Sequence, residues 1–469
     1  MKDVVHLSEV VGALSYALDL TEGQPIGHSL RCCWIGMHIG KHLGLSESSL
    51  SDLYYTLLLK DIGCSSNAAR ICRLYLADDL SFKSAYKLID NKLPEVLRFL
   101  LANTARKSGL VERLQTMINV ARSSGEIARE LIETRCQRGA DIVRNMHFSE
   151  AVAHGILDLD EHWDGSGQPL QRRGREISLF ARIALISQVV DVFFMRGGAP
   201  AAVAEVKSRS SRWFDPELVS IVATLENDAF FWLPLLANDL PDRVADLEPQ
   251  TLVRSVDEDY LDDIAAGFAR VVDAKSPFTA GHSERVSLFA DLIAEELGYA
   301  PEHRRWLKRA ALLHDIGKLG VSNTVLDKNG QLDEDEWEQV RSHAQLGRII
   351  LSKIGAFRSM ARIAGDHHER LDRKGYPFGI GAAEIDRDTR IVTAADIFDA
   401  LTADRPYRKA MPVPTAFDVM ERGLGTAIDP DVYAALKRGF ARIYGVTETP
   451  TPADGAETET KADTNADAA

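Results

Sequence analysis

Two stretches of this chain, LLKDIGC at 58–64 and LLHDIGK at 312–318, differ at only two of seven places. The likeness continues at fixed spacing. GHSLR at 27–31 answers GHSER at 281–285, and 32 positions separate His28 from Lys60 just as they separate His282 from His314. Gly139 stands 20 positions before Leu159, as Gly347 does before His367. WDGSGQP (163–169) answers LDRKGYP (371–377), with 18 positions from Asp164 to Arg182 and from Asp372 to Arg390. FDPELV (214–219) resembles IDPDVY (428–433). Chance does not keep three separate spacings, so the chain is a tandem duplication and one fold is expected twice. An insertion of several dozen residues follows Cys64 in the first copy. The join falls near 240–256, where NDLPDRVADLEPQ is polar and carries prolines.

Periodicity makes each copy helical. GHSERVSLFADLIAEELG (281–298) places Val286, Phe289, Ile293 and Leu297 at helical spacing, with Gly298 where a helix stops. Such patterns recur and strand-like alternation is scarce, so the expected class is all-α, two tandem helical domains. The expected divisions are 1–240, 257–446 and a tail, 447–469. That tail is Thr, Ala, Asp and Glu without an aromatic, too polar to fold and expected to be disordered.

Composition narrows the function. A net charge of −14 disfavours a nucleic-acid polyanion, so no DNA partner is expected, although a small anion needs only a local cluster of cations. No apolar run is long enough to span a bilayer, and Asp3, Glu9 and Asp19 interrupt the N-terminal stretch, so the expectation is a cytoplasmic protein without a membrane partner. All five cysteines, Cys32, Cys33, Cys64, Cys72 and Cys136, lie in the first half, so a metal site in the second half cannot use thiolate.

That second half concentrates His282, His314, Asp315, His343, His367, His368 and Asp396. Imidazole with carboxylate suits Mn, Fe, Zn or Ni better than Ca or Mg. One ion takes about six ligands at most and needs an open place to catalyse, so seven candidates suggest two or more divalent ions. Asp315 is the natural bridge between them, and two such ions can clamp a phosphate and generate hydroxide for in-line attack. The apolar pair Leu312–Leu313 is expected to hold the His-Asp pair on a rigid helix.

HDIGK (314–318), HHERLDRKGYP (367–377) and ADIFDALTADRPYRKA (395–410), preceded by TAGHSERV (279–286), together resemble the HD-GYP subgroup of the HD-domain phosphohydrolases over about 257–446. The resemblance implies an all-helical domain, a centre of two or three metals, often iron or manganese, and a cyclic dinucleotide substrate. It gives the metal-ligand roles to His282, His314, Asp315, His343, His367, His368 and Asp396, and makes Asp315 with Lys318 the catalytic pair. Lys318 would reach a substrate phosphate. Arg373, Lys374 and Tyr376 of the GYP loop and Arg405 and Arg408 of RPYRK are the further candidates for substrate contact. The loop departs from the family's DGxGYP, with Arg373 at a glycine position, where a positive φ would strain it. Phe278 stands where some members carry a glutamate for a third metal, which favours two.

Cyclic di-GMP is the first substrate expected from the resemblance. A degenerate copy joined to an intact one also resembles phosphodiesterases that prefer the mixed 3′,3′-cyclic GMP-AMP. A nucleotidase acting on mononucleotides and a noncatalytic dinucleotide receptor are the other classes. In the first copy Lys60 stands for His314, Arg135 for His343, Leu159 for His367, Asp160 for His368, Gln188 for Asp396 and Cys64 for Lys318; only His28 and Asp61 persist. Its new cations are expected to pair with Asp61 and Asp160 and to keep the scaffold without metal. Packing, homodimerisation through this copy, and ligand sensing are its expected roles, in that order.

Overall fold

The computed structural model describes residues 6–90, 93–104, 110–249, 256–405 and 408–444. The tail expected to be disordered lies outside the described residues. The described chain is helical, with isolated β-bridges only, as the periodicity required. No single helix among the described residues is long and apolar enough to cross a membrane.

The repeat in sequence is a repeat in structure. Helix His28–His42 in the first copy and helix His282–Glu296 in the second both start after a glycine in the left-handed region, Gly27 at φ 85° and Gly281 at φ 68°. A Cβ is disfavoured there, and the turn aims the first residue of each helix, a histidine, inward. In the second helix Val286 and Ile293 are buried, and Gly298 closes it at φ 75°. Helix Leu7–Thr21 and helix Glu258–Asp273 precede them. Near its end each carries an aspartate, Asp19 or Asp273, that accepts hydrogen bonds from the backbone and hydroxyl of the serine after the histidine, Ser29 or Ser283.

The expected rigid helix under the His-Asp pair ends one residue early. Helix Pro301–Leu313 stops at Leu313, His314 caps it, and Ile316–Gly320 continues as a 3₁₀ turn. The cause is Gly317, whose Cβ would lie 1.9 Å from the carbonyl oxygen of His343. Only glycine lets the turn approach helix Glu334–Ser352 this closely, and that approach brings His314, Asp315 and His343 together. Gly63 meets the Arg135 carbonyl in the same way.

The insertion is helical too. Helices Ala68–Tyr75, Asp79–Tyr86 and Leu93–Asn103 lead into the long helix Leu110–Asn145. Ile71, Tyr75, Phe82, Phe99 and Leu131 form a small separate core, with Tyr75 stacked on Phe82 at 4.5 Å. One larger core runs through both copies. Helix Leu240–Ala245, at the expected join, buries Leu240 and Val244 and packs on helix His28–His42.

Candidate metal centre

All seven second-copy candidates converge, and six of them are almost wholly buried, with His368 half-buried. Asp315 lies at the middle. Its Oδ2 is 3.3 Å from His282 Nε2 and 3.4 Å from His314 Nε2, while its Oδ1 is 3.4 Å from His343 Nε2 and 3.7 Å from His367 Nε2. Asp396 Oδ1 stands 3.4 Å from His282 Nε2. Donor atoms of His282, His314 and Asp315 form one group of ligand dimensions, and those of Asp315, His343, His367 and His368 form another. The two oxygens of one carboxylate thus face two separate donor sets.

The rings are held from behind. Nδ1 of His282 bonds Asp399 at 2.7 Å, and Nδ1 of His314, His343 and His367 bonds the carbonyls of Ala311, Val340 and Ala364 at 2.6, 2.5 and 3.0 Å. Each Nε2 is therefore left to point inward, the arrangement that second-sphere bonds impose on metal-binding imidazoles. Nε2 of His282, His314 and His368, Oδ1 of Asp315 and Oδ1 of Asp396 are buried with no hydrogen-bond partner. Orphan polar atoms gathered in one buried cluster cost free energy unless something fills it. The donor set fits a pair of divalent cations.

Protonation agrees. Burial, with Lys318 nearby, holds His343 down at about 4, and burial with the neighbouring His314 holds His367 at about 3. Both rings are neutral and free to donate a lone pair at physiological pH. Burial also pushes His282 down, but the Asp315 carboxylate 3.3 Å away, its bond to Asp399 and the Asp396 charge carry it up to about 9. The carboxylates thus draw a proton to His282, so the pocket calls for positive charge.

Around this centre the expected substrate contacts separate into kinds. Lys318 Nζ lies 2.5 Å from Asp315 Oδ2, at the rim. Tyr376 stacks on His368 with ring centroids 4.7 Å apart. Arg405 has a buried Nε without a partner. Arg408 instead donates to the carbonyls of Ala400 and Leu401 and so closes the end of helix Arg387–Thr402. Arg373 does adopt a positive φ, 67°, and its exposed guanidinium pairs with Glu384 at 2.8 Å. Lys374 is exposed, its amide held by Asp372 at 3.1 Å.

Two supporting residues escaped sequence reasoning. Asp399 orients His282 and pairs with Arg285; its signal was a second aspartate three residues after Asp396, matched by Asp191 after Gln188. Glu369 accepts the amides of Phe378 and Gly379 at 2.6 and 3.0 Å and so fixes the loop after Tyr376. Glu161 does the same for Leu170 and Arg172 in the first copy.

The first copy has the same frame around different chemistry. Lys60 pairs with Asp61, and its ammonium lies 3.2 Å from His28 Nε2 and 3.4 Å from Gln188 Oε1. Arg135 pairs with Asp160. Lys87, from the insertion, adds a third cation, 2.8 Å from Glu22 and 3.9 Å from Asp61. Glu22, Asp61 and Cys64 lie close enough to share an ion, but Lys87 already faces both carboxylates, and burial pushes the Cys64 thiol well up. Burial and the Lys60 charge hold His28 down at about 4.

The HD domain family model matches residues 84–218 and 268–432. The chain is 54% identical to the 3′3′-cGAMP-specific phosphodiesterase 3 of Vibrio cholerae over 92% of this chain and 94% of that one. It is 38% identical to the cyclic di-GMP phosphodiesterase response regulator RpfG of Xanthomonas campestris, over 37% of this chain and 47% of that one. A crystal structure of the V. cholerae cyclic GMP-AMP phosphodiesterase V-cGAP3 superposes with a TM-score of 0.64 at 49% identity, covering 93% of this chain and 98% of that one. With two matched segments, a converged His/Asp centre in one copy and cations in its place in the other, the chain belongs to the HD domain family, in its HD-GYP branch, with a degenerate N-terminal copy.

Proposed function

We propose that this chain, a cyclic dinucleotide phosphodiesterase, acts on 3′3′-cyclic GMP-AMP in preference to cyclic di-GMP. The observation that carries the choice is the 54% identity to a 3′3′-cGAMP-specific enzyme along nearly the whole of both chains, degenerate copy included. The likeness to cyclic di-GMP enzymes is shorter, 38% identity over 37% of this chain, or weaker, 27% identity over 75% of it. The preference therefore revises the cyclic di-GMP expectation drawn from the motifs.

In this proposal His282, His314 and Asp315, with Asp396 3.4 Å from His282, would hold one divalent cation, and Asp315, His343, His367 and His368 would hold the other, with iron or manganese the natural choice for such donors. When bound, the pair supplies Lewis acidity at the phosphate and lowers the pKa of water. The chain does the rest. Asp399 and the Ala311, Val340 and Ala364 carbonyls fix the imidazoles so that no reorganisation is needed at the moment of reaction. Lys318 and Arg405 bring positive charge to the nonbridging oxygens, and Tyr376 and Lys374 line the approach. Water adds across one P–O3′ bond, the 3′-oxygen leaves with a proton, and a linear dinucleotide results.

Anaerobically purified, metal-loaded protein is to be incubated with 3′3′-cyclic GMP-AMP, cyclic di-GMP, cyclic di-AMP and mononucleotides, and the products resolved by chromatography. We expect kcat/KM for the mixed dinucleotide to exceed that for cyclic di-GMP by about tenfold or more, the discrimination one polar base contact supplies. Equal or reversed values would overturn the preference.

A further inference from the structure

The helix that presents His343 also carries Trp337 and Arg341, four residues apart on one face. The Arg341 guanidinium lies 5.6 Å from the Trp337 ring centroid and 5.8 Å from that of Tyr376. Tyr376 in turn stacks on His368, whose Nε2 is one of the orphan atoms of the centre. A layered series thus runs from the candidate ligand outward: imidazole, phenol, guanidinium, indole. Arg341 is exposed, and its described contacts are these two rings. Its neighbours differ: Arg348 and Arg362 pair with Asp366, and Arg370 with Asp372. A cation poised between rings at the edge of an anion-cleaving centre, with no carboxylate to satisfy it among the described residues, suits an anionic ligand.

The first copy supplies an internal control. The register between the copies is fixed here by Gly63 against Arg135 and Gly139, and by Gly317 against His343 and Gly347. In that register Trp337 answers to Arg129, Arg341 to Glu133 and Tyr376 to Gln168. The copy that lost the ligands lost all three, and a carboxylate replaced the cation. It kept what builds the frame: Ser29, Gly139, Glu161 and Asp191 match Ser283, Gly347, Glu369 and Asp399. Residues that vanish with the chemistry while the packing residues stay belong to the chemistry.

We infer that Arg341 binds the phosphate of the cyclic dinucleotide that is not being cleaved, with Trp337 and Tyr376 as positioning residues that hold its guanidinium in place. The inference rests on the reading of the chain as a cyclic dinucleotide phosphodiesterase. Two phosphates sit across one macrocycle. With one at the histidine centre, the other needs an anchor set back from it, and a guanidinium takes phosphate in bidentate fashion.

The test compares wild type, Arg341→Ala and Arg341→Lys on 3′3′-cyclic GMP-AMP, on cyclic di-GMP and on bis(p-nitrophenyl) phosphate, which has a single phosphate. We expect Arg341→Ala to raise KM for the cyclic dinucleotide by about tenfold or more, the size of one charge-assisted contact, with kcat within about threefold. Turnover of bis(p-nitrophenyl) phosphate should not change, and Arg341→Lys should recover part of the KM. An unchanged KM, or an equal loss on bis(p-nitrophenyl) phosphate, would overturn the assignment. If wild type cleaves cyclic di-GMP and not the mixed dinucleotide, the base preference fails while Arg341 is still judged by its KM for cyclic di-GMP. Cleavage of neither cyclic dinucleotide sinks both.

Discussion

At Arg373 the chain tolerates a backbone conformation that its own other copy assigns to glycine. The matching residue is Gly165, at φ 80° against 67° for Arg373. The two copies solve one packing problem from opposite sides. In the first, the side chain of Arg173 lies over Gly165; in the second, Arg373 lies over Gly381, the counterpart of Arg173. Glu176 and Glu384 match as well, and each holds its arginine, the one through the Arg173 amide, the other through the Arg373 guanidinium. Arginine and glycine have exchanged places while the cover over the loop stayed. The strain at Arg373 costs about 1 kcal/mol, and its exposed ion pair offsets little. The double variant Arg373→Gly/Gly381→Arg restores the first copy's solution and should raise stability by about 1 kcal/mol in thermal or urea unfolding, with the ratio of kcat/KM between cyclic dinucleotides unchanged. A changed ratio would show that Arg373 touches substrate. The oddity of an arginine in a glycine position was legible in sequence; its compensation was not, because it needs the facing residue in space.

Among the elements, the first-copy helices that correspond to the ligand-bearing ones of the second copy converge on ion pairs. Laying one copy on the other gave Lys60 and Arg135 as intruders, and opposite charge gave their partners, Asp61 and Asp160, both of which the structure pairs. Lys87 could not be found this way. It comes from the insertion, which has no counterpart in the second copy, and only the fold of helix Asp79–Tyr86 brings it to Glu22 and Asp61. The helix read at 281–298 was legible from its apolar spacing, and the structure has it at His282–Glu296. The stop at Leu313 was not, since it depends on how near Gly317 comes to a backbone 26 residues further on. The copies should therefore differ in metal content. Asp315→Ala, which removes the shared carboxylate, should abolish bound metal and turnover together. Asp61→Asn, and the paired Lys60→Met/Asp61→Leu that removes both charges, should leave metal content at the wild-type level in elemental analysis. The pair matters because a lone Asp61 change strands a buried ammonium, which costs about 3–5 kcal/mol. A drop in metal content with the paired variant would place an ion in the first copy.

At the scale of the molecule, the two copies are built into each other rather than strung together. Helix Leu7–Thr21 of the first packs on Ile316–Gly320 and Glu334–Ser352 of the second, while helix Glu258–Asp273 of the second packs on Cys64–Asn67 and Leu110–Asn145 of the first. Each copy's leading helix thus supports the other's His-Asp turn or its remnant. The insertion deepens the bond. Asp79 is fully buried, accepts Ser322 Oγ at 3.0 Å and the Asn323 amide at 2.9 Å, and lies 3.8 Å from the buried Lys275 ammonium. Lys275 donates to the Leu319 carbonyl at 3.0 Å, one residue past Lys318. A residue of the silent copy therefore holds the segment that follows the HDIGK stretch of the other. Asp79→Ala leaves Lys275 buried without its charge partner and should cost about 3–5 kcal/mol, seen as a lower Tm. Asp79→Asn keeps the size of the side chain without its charge and should cost less. Both should quicken hydrogen exchange at 316–327 and lower kcat, although position 79 lies outside the copy that holds the converged His/Asp centre. A lowered Tm with wild-type kcat and unchanged exchange at 316–327 would mean that the first copy stabilises the molecule without shaping the turn that carries Lys318.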